Sequence, residues 1–389
     1  MIQILDKHNC CGCESCVQVC PKHCIGFVQD REGFYYPEVD DSLCISCRLC
    51  EKVCPVINQG EERSPYKALA SFNRDDKARE SSSSGGIFSL LSEKVLDEGG
   101  VVFGARFDEN WQVVIDAAET KETIKAFIGS KYLQAKVGES FRNCKRYLDE
   151  GRKVLFAGTP CQISGLRLFL RRQYENLLAV DIVCHGVPSP LVWERYVDEN
   201  VQAAGEIERI NFRDKVKGWK LFSLTFVHDS NGQLKSRSTS FKEDLYMQAF
   251  LKNLILRPSC YVCPAKCGKS HSDITLADFW GIGDVNPQMD DDRGTSLVLI
   301  NTKRGLLSLP LDRIVFTEED FSASIKKNSA WNKSAVPHFR RAEFFEGLSK
   351  GKILSLLISH SLRPSIMQRI AQFKHPLTIM RKLKNRVKH

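Results

Sequence analysis

No apolar run in the 389-residue sequence approaches the roughly 18 residues of a transmembrane helix, so a spanning helix is not expected. The opening residues, MIQILDKHNC, lack a basic stretch followed by an apolar one, and the expectation is a cytoplasmic chain without a secretory leader. Acids are missing from residues 361–389, which nevertheless hold Arg363, Arg369, Lys374, Arg381, Lys382, Lys384, Arg386 and Lys388. Those eight account for nearly all of the formal net charge of +9. The remaining chain is close to neutral, which excludes a nucleic-acid-binding body. Aromatics are scarce in the tail too: Phe373 alone offers no base-stacking platform. Leu362, Ile366, Met367, Ile370 and Phe373, then Leu377, Ile379, Met380, Leu383 and Val387, recur there at helical spacing. Two expectations follow: helices packed loosely on the body, or peripheral contact with an anionic membrane at its inner face.

What the sequence has is cysteine, sixteen in all, six of them within CCGCESCVQVCPKHC. Cys10, Cys13, Cys16 and Cys20 recur as Cys44, Cys47, Cys50 and Cys54 at a constant offset of 34, and Pro21 recurs as Pro55. Both copies read C-x2-C-x2-C-x3-C-P, the bacterial two-cluster ferredoxin spacing, in which the fourth cysteine serves the other cluster. One [4Fe-4S] cluster is therefore expected on Cys10, Cys13, Cys16 and Cys54, and a second on Cys44, Cys47, Cys50 and Cys20. Structural zinc would use paired C-x2-C knuckles, and a disulfide framework needs an oxidising compartment, so neither fits. Cys11 and Cys24 have no counterparts in the repeat and are left unassigned. GFVQDREGFYYPEV between the runs predicts a hairpin turning at DREG over the cluster pair.

QGEERSPYK, residues 59–67, has the character of a linker. Beyond it, KALASF, VVFGARF, KVLFAG and LLAVDIV alternate with helical patterns, one from about Gly86 to Asp97 and one from about Gln162 to Arg172. The expected fold is thus a bacterial-type two-cluster ferredoxin domain (α+β, residues 1–60), then an α/β domain with a mixed, largely parallel sheet (66–305), then a helical extension (306–389). Cys161 follows one strand and Cys184 another, and ligands bind outside the carboxyl ends of such strands. With Cys260 and Cys263 of RPSCYVC they make four thiolates for a third [4Fe-4S] cluster, and Cys267 is a fifth candidate. Cys144, inside FRNCKRYL, reads as a packed thiol, and His185 as a hydrogen-bonding neighbour of Cys184 rather than a ligand.

The run from Ser81 through Ser84 to Gly85 and Gly86 opens a helix, where first-turn amides and the dipole suit a phosphate. Serines there also serve simply as caps. Lys131 of GSKY would add charge to the same anion, although a lone lysine is ordinarily a solvated residue.

SSGGIFSLL, GSKYLQ, GTPCQISGL, DIVCHGVPSP and RPSCYVC with SDITLADFWGIG, in that order, make the chain from about Tyr66 to about Gly305 resemble the family of coenzyme F-420 hydrogenase/dehydrogenase beta subunits. Its members are iron-sulfur flavoproteins, whose relatives act on a deazaflavin, on formate through a partner, or on chlorophyll intermediates. The resemblance implies bound FAD, with Ser84, Gly85 and Gly86 at the flavin phosphates and Asp273 and Asp278 in the matching DIT-x-ADFWG segment. It supports the third cluster, while Cys267 departs from the family pattern. Bacterial members of this length are often encoded among surface-polysaccharide genes, and a polysaccharide role is therefore one expectation. The expected activity is an oxidoreductase that passes electrons from ferredoxin or another donor through the clusters to FAD. An unidentified organic acceptor would receive them. The alternative is a non-catalytic subunit that hands electrons to a partner oxidoreductase. No catalytic acid or base is evident.

Overall fold

A computed structural model of the chain describes Ile2, residues 6–230 and residues 232–363. Most of the basic tail, and with it the expected helices and membrane contact, lies outside the described residues. Among those residues no helix is long and apolar enough to cross a membrane.

The cysteine repeat is also a backbone repeat. Gly12 and Ser46 have φ of +70° and +53°, Glu14 and Arg48 have φ of +60° and +58°, and each pair is 34 residues apart. The left-handed Glu14 and Arg48 open the short helices Ser15–Val19 and Leu49–Lys52. Between them lie β1 (Ile25–Gln29) and β2 (Tyr35–Val39), an antiparallel hairpin. Its turn is DREG, closed by the Asp30 carboxylate accepting from the Glu32 and Phe34 amides at 3.0 and 2.9 Å.

The body begins with β3 (Lys67–Asn73), β4 (Val101–Phe107), β5 (Val113–Ala118), β6 (Val154–Gly158) and β7 (Leu177–Ile182). It continues with β8 (Ile207–Asp214), β9 (Ser223–Ser230), β10 (Gln233–Ser240), β11 (Ile274–Asp278), β12 (Ser296–Ile300) and β13 (Ile314–Glu319). Eight of these form one mixed sheet in the order β13-β3-β12-β11-β7-β6-β4-β5, while β8, β9 and β10 form a separate antiparallel sheet. Parallel pairing runs through the centre, from β4 through β6 and β7 to β11, and antiparallel strands flank it. Residues 314–319 add an edge strand against β3, so the sheet continues into the segment expected to be helical. Alternation along the central strands divides the core. Val101, Phe103, Val154, Phe156, Leu177 and Ala179 pack on one face, and Val102, Leu155, Leu178 and Val180 on the other, against the helix Ile87–Asp97.

The segment expected to be a linker is packed. The Arg63 amide donates to Cys267 O at 2.9 Å, the Tyr66 amide to Ile300 O at 2.6 Å, and a Cβ on Gly60 would collide with Lys269 O. Its polar composition satisfies this docking as well as it would satisfy solvent. The ferredoxin module is likewise seated on the body. The Glu14 carboxylate accepts from the Val137 and Gly138 amides at 2.8 and 2.9 Å. Gln18 Oε1 accepts from the Phe141 amide at 2.9 Å, and Glu32 forms a two-pronged pair with Arg341.

Closest of all is the helix Pro160–Leu170, where a Cβ on Gly165 would stand 2.5 Å from Ser15 Oγ and 3.0 Å from both Cβ and Sγ of Cys13. Helix propensity alone favours alanine over glycine by about 1 kcal/mol. Overpacking opposes it, and Gly165→Ala should lower stability by about 1–3 kcal/mol in denaturant unfolding. A stabilised Gly165→Ala would mean that the module does not sit on this helix.

Candidate functional site

The outer set of thiols surrounds a small hollow lined by Cys20, Cys44, Cys47 and Cys50, with Ile25 and Val39 of the hairpin beside them. Cys47 is exposed. Cys24, which the repeat leaves without a counterpart, also lines this hollow, its Sγ 3.4 Å from that of Cys20. The inner set lies toward the body: Cys10, Cys13, Cys16 and Cys54 are all buried, and the charges of Cys10, Cys13 and Cys54 bear on Cys16. Both quartets correspond to the expected interleaving of the two copies.

The third set is assembled by three separate pieces of local encoding. Thr159 caps the Pro160–Leu170 helix in a capping box with Gln162, and Pro160 occupies the first turn, where it costs no hydrogen bond. Cys161 is thereby fixed at a helix N-terminus just beyond β6. Cys184 follows β7, two strands of the parallel centre being adjacent there. The helical turn Pro258–Val262 brings Cys260, with Cys263 just past it. Cys161, Cys260 and Cys263 all bear electrostatically on Cys184. Burial pushes the Cys260 thiol up to about 12, while the Val187 amide donates to its sulfur at 3.4 Å. Iron ligation would take the place of the proton that burial otherwise retains on such thiols. Among the described residues no three potential ligands converge as one metal ion would require; the thiols stand apart, as the corners of a cubane do.

Cys267 is elsewhere. Its surroundings are Glu62, Lys269 and Lys266 rather than other cysteines, and its backbone is left-handed at φ +57°. Cys144 is a fully buried thiol of the core, as its helical setting suggested. His185 Nε2 is 2.7 Å from Asn253 Oδ1 and its ring meets Phe250 edge-on.

Two residues that sequence reasoning passed over connect the sets. The Cys11 thiol interacts with both Cys13 of the inner set and Cys161 of the third. The Cys11 contact lowers the Cys161 thiol to about 6, and Thr159 Oγ1 at 3.2 Å lowers it further. Arg257, fully buried, donates to Cys10 O, Gln134 Oε1 and Tyr35 O at 2.7, 2.9 and 2.8 Å. Its guanidinium lies 4.4 Å from the Tyr36 ring centre, and its charge reaches Cys10, Cys161 and Cys260. The signal for Cys11 was present as an unexplained extra cysteine; Arg257 stood three residues before Cys260 with nothing to mark it.

The two anion-binding elements are brought together, because the Ser130 amide donates to Ser83 Oγ at 2.7 Å. The named residues divide in role. Ser84 Oγ donates to Thr295 O at 3.0 Å, and the Gly85 amide donates to Ser296 Oγ at 2.9 Å, so these donors are used by the fold. A Cβ on Gly85 would strike Ser71 O. Gly86, at φ +82°, opens the Ile87–Asp97 helix, whose first-turn amides have no intrahelical acceptor. Lys131 Nζ donates to Gly129 O at 3.0 Å, and burial depresses its amine to about 7. Lys215, which sequence reasoning missed, reaches Ser84 O at 2.9 Å from the far side of the same turn.

Asp278, at the end of β11, takes a two-pronged ion pair from buried Arg213 and a hydrogen bond from Trp219 Nε1 at 2.9 Å. Arg213 also donates to the Tyr132 hydroxyl at 3.0 Å. Trp219 and Trp280 stack with centroids 4.8 Å apart. Asp273 belongs to the opposite end of the sheet, where it accepts from the Ala179 amide at 2.9 Å and pairs with Arg167.

A lysine depressed in the folded state binds fewer protons there than in the unfolded chain. Stability should therefore rise as pH climbs from about 7 toward 10.5, the window between the folded and ordinary values. Competitive acetylation across this range should give a Lys131 midpoint near 7, and a midpoint near 10.5 would contradict its burial.

Residues 151–310 match the family model for the C terminus of the coenzyme F420 hydrogenase/dehydrogenase beta subunit, and residues 9–58 match the 4Fe-4S dicluster domain. One of the subunits of the F(420)H(2) dehydrogenase of Methanosarcina mazei is 22% identical over 248 residues, covering 60% of this chain and 68% of that protein. An uncharacterized protein of Methanocaldococcus jannaschii is 23% identical over 337 residues, covering 78% and 86% respectively. A chain of the F420-reducing [NiFe] hydrogenase complex from Methanosarcina barkeri is 17% identical with a TM-score of 0.45, covering 77% of this chain and 91% of that one. The chain belongs to the family of coenzyme F420 hydrogenase/dehydrogenase beta subunits, an oxidoreductase family, with a 4Fe-4S dicluster domain ahead of the family region.

Proposed function

We propose that this iron-sulfur protein is an FAD-dependent oxidoreductase with three [4Fe-4S] clusters, carried by the outer, inner and third cysteine sets. The observation that carries the reading is Cys11, whose thiol spans from Cys13 of the inner set to Cys161 of the third. Clusters pass electrons singly and FAD takes one or two, so together these groups supply the conversion of single electrons into a hydride equivalent. The exposed Cys47 faces a soluble donor, and exposed Leu43 and Ile45 beside it offer that donor an apolar rim. Gly86, the first turn of the Ile87–Asp97 helix and Lys131 would hold the flavin's phosphates. Tyr132, Trp280 and His185 would border its ring at the carboxyl ends of β7 and β11. Arg257 supplies the positive charge that reduced thiolate-rich sets require. The names of the relatives suggest a deazaflavin of the F420 type as the organic acceptor, with a surface-polysaccharide intermediate as the other candidate.

The test is anaerobic purification with quantification of iron, sulfide and released flavin, followed by a screen of donors and acceptors. About twelve irons and one FAD per chain are expected. Absence of flavin would remove the enzyme reading. Bound flavin that passes electrons to no small acceptor, only to a partner protein, would make the chain an electron-transfer subunit instead. Cys11→Ser should leave iron and flavin contents unchanged and slow donor-driven flavin reduction about tenfold, equivalent to about 1.4 kcal/mol of barrier. An unchanged rate would mean that electrons cross between the modules by another route.

A further inference from the structure

The edge of the sheet opposite the cysteines holds a groove of about 1100 Å³. Val154 and Leu177, which begin β6 and β7, lie in its wall, as do the C-terminal half of the Pro160–Leu170 helix and the packed segment from Asn58 to Arg63. Its volume is at the upper end of the range for small-molecule sites. Nine lysines and arginines line it against three carboxylates, although the chain without its tail is nearly neutral, so the positive charge is concentrated here.

The deepest part is more specific. Arg63, Arg167 and Arg304 are close enough for the first and last to disfavour the charge on Arg167, and the carboxylate among them is Asp273, buried and shared. Asp273 already accepts from the Ala179 amide and the Thr302 hydroxyl as well. Arg167 Nε is buried without a hydrogen-bond partner. Arg63 and Lys94 donate to the main-chain carbonyls of Asn301 and Leu307, which give hydrogen bonds but no neutralising charge. Guanidinium forks match the oxygens of phosphate and carboxylate groups, and burial strengthens such pairs.

We propose that this groove is a second ligand site, distinct from the cysteine-lined end of the sheet, that binds a small polyanion bearing phosphate or carboxylate groups against Arg63, Arg167 and Arg304. The concave shape favours a small ligand over an acidic protein. The inference stands independently of the flavin reading.

Calorimetric titration of the full-length holoprotein with pyrophosphate and, separately, with citrate tests it and distinguishes the two chemistries. One equivalent of either should bind saturably at low salt and more weakly at high salt. Arg304→Gln and the more peripheral Arg63→Gln should each weaken binding about tenfold or more while iron and flavin contents are unchanged. Lys131→Gln should leave it unaltered. Loss of binding in Lys131→Gln but not in the two arginine variants would assign the anion to the flavin region and overturn the proposal. Failure of both probes to bind, or binding only of an acidic protein, would overturn it equally.

Discussion

Replacing Cys161 by serine should lower the iron content by about a third, from about twelve atoms to about eight, and cut donor-driven flavin reduction by at least about a hundredfold. Cys161 is the one member of the third set that the capping box fixes at a helix N-terminus and that also meets Cys11. Its loss removes a ligand and the contact with the inner set together. The ferredoxin module should keep its own clusters, because none of its eight repeat cysteines depends on residue 161. Iron per chain, low-temperature electron paramagnetic resonance of the reduced protein and stopped-flow flavin reduction are the readouts. Cys267→Ser is the matched control, since Cys267 stands among Glu62 and two lysines and should change none of the three. Normal reduction kinetics in Cys161→Ser would reduce Cys161 to a packed thiol and remove the third set from the path.

Local spacing made much of this legible. Cluster ligands in a ferredoxin module lie within a few residues of one another, so C-x2-C-x2-C-x3-C-P repeated at 34 residues carried the quartets, and the same offset reappears in the left-handed pairs Gly12/Ser46 and Glu14/Arg48. Strand ends were legible for a similar reason: GTPCQ contains the cap, the first-turn proline and the thiol in five residues. Tertiary proximity was not. Cys11 gained meaning only when Gly165 allowed the module to settle on the Pro160–Leu170 helix, 150 residues away in sequence. The segment 59–67 looked like a spacer because the carbonyls it meets, Cys267 O and Ile300 O, belong to the far end of the chain. Ser84 and Gly85 matched a phosphate-binding pattern, yet their donors are taken by Thr295 and Ser296 on β12 and the residue before it, which no local pattern could reveal.

Arg257 should have the largest effect on stability of any single position at the junction. It is fully buried, and its three acceptors come from three places: Cys10 of the inner set, Tyr35 of the hairpin, and Gln134 of the body. Arg257→Gln is too short to serve all three, and each buried acceptor left without a donor costs about 1–3 kcal/mol. Some relaxation of the acceptors is expected, so the net loss should be about 3–5 kcal/mol in denaturant unfolding. The same substitution removes the positive charge that bears on Cys10, Cys161 and Cys260. Adding an electron to a thiolate-bound cluster without that charge nearby is less favourable, so the midpoint potentials of the inner and third sets should fall, while that of the outer set holds. Arg257→Lys separates the two roles. It keeps the charge but loses the planar fork, so it should stay destabilised while its potentials remain closer to those of the native protein. Redox titration of both variants, followed by electron paramagnetic resonance, supplies the comparison. A Gln variant within about 1 kcal/mol of native stability, or one whose inner and third potentials do not move, would mean that Arg257 is neither the tie nor the counter-charge of the junction.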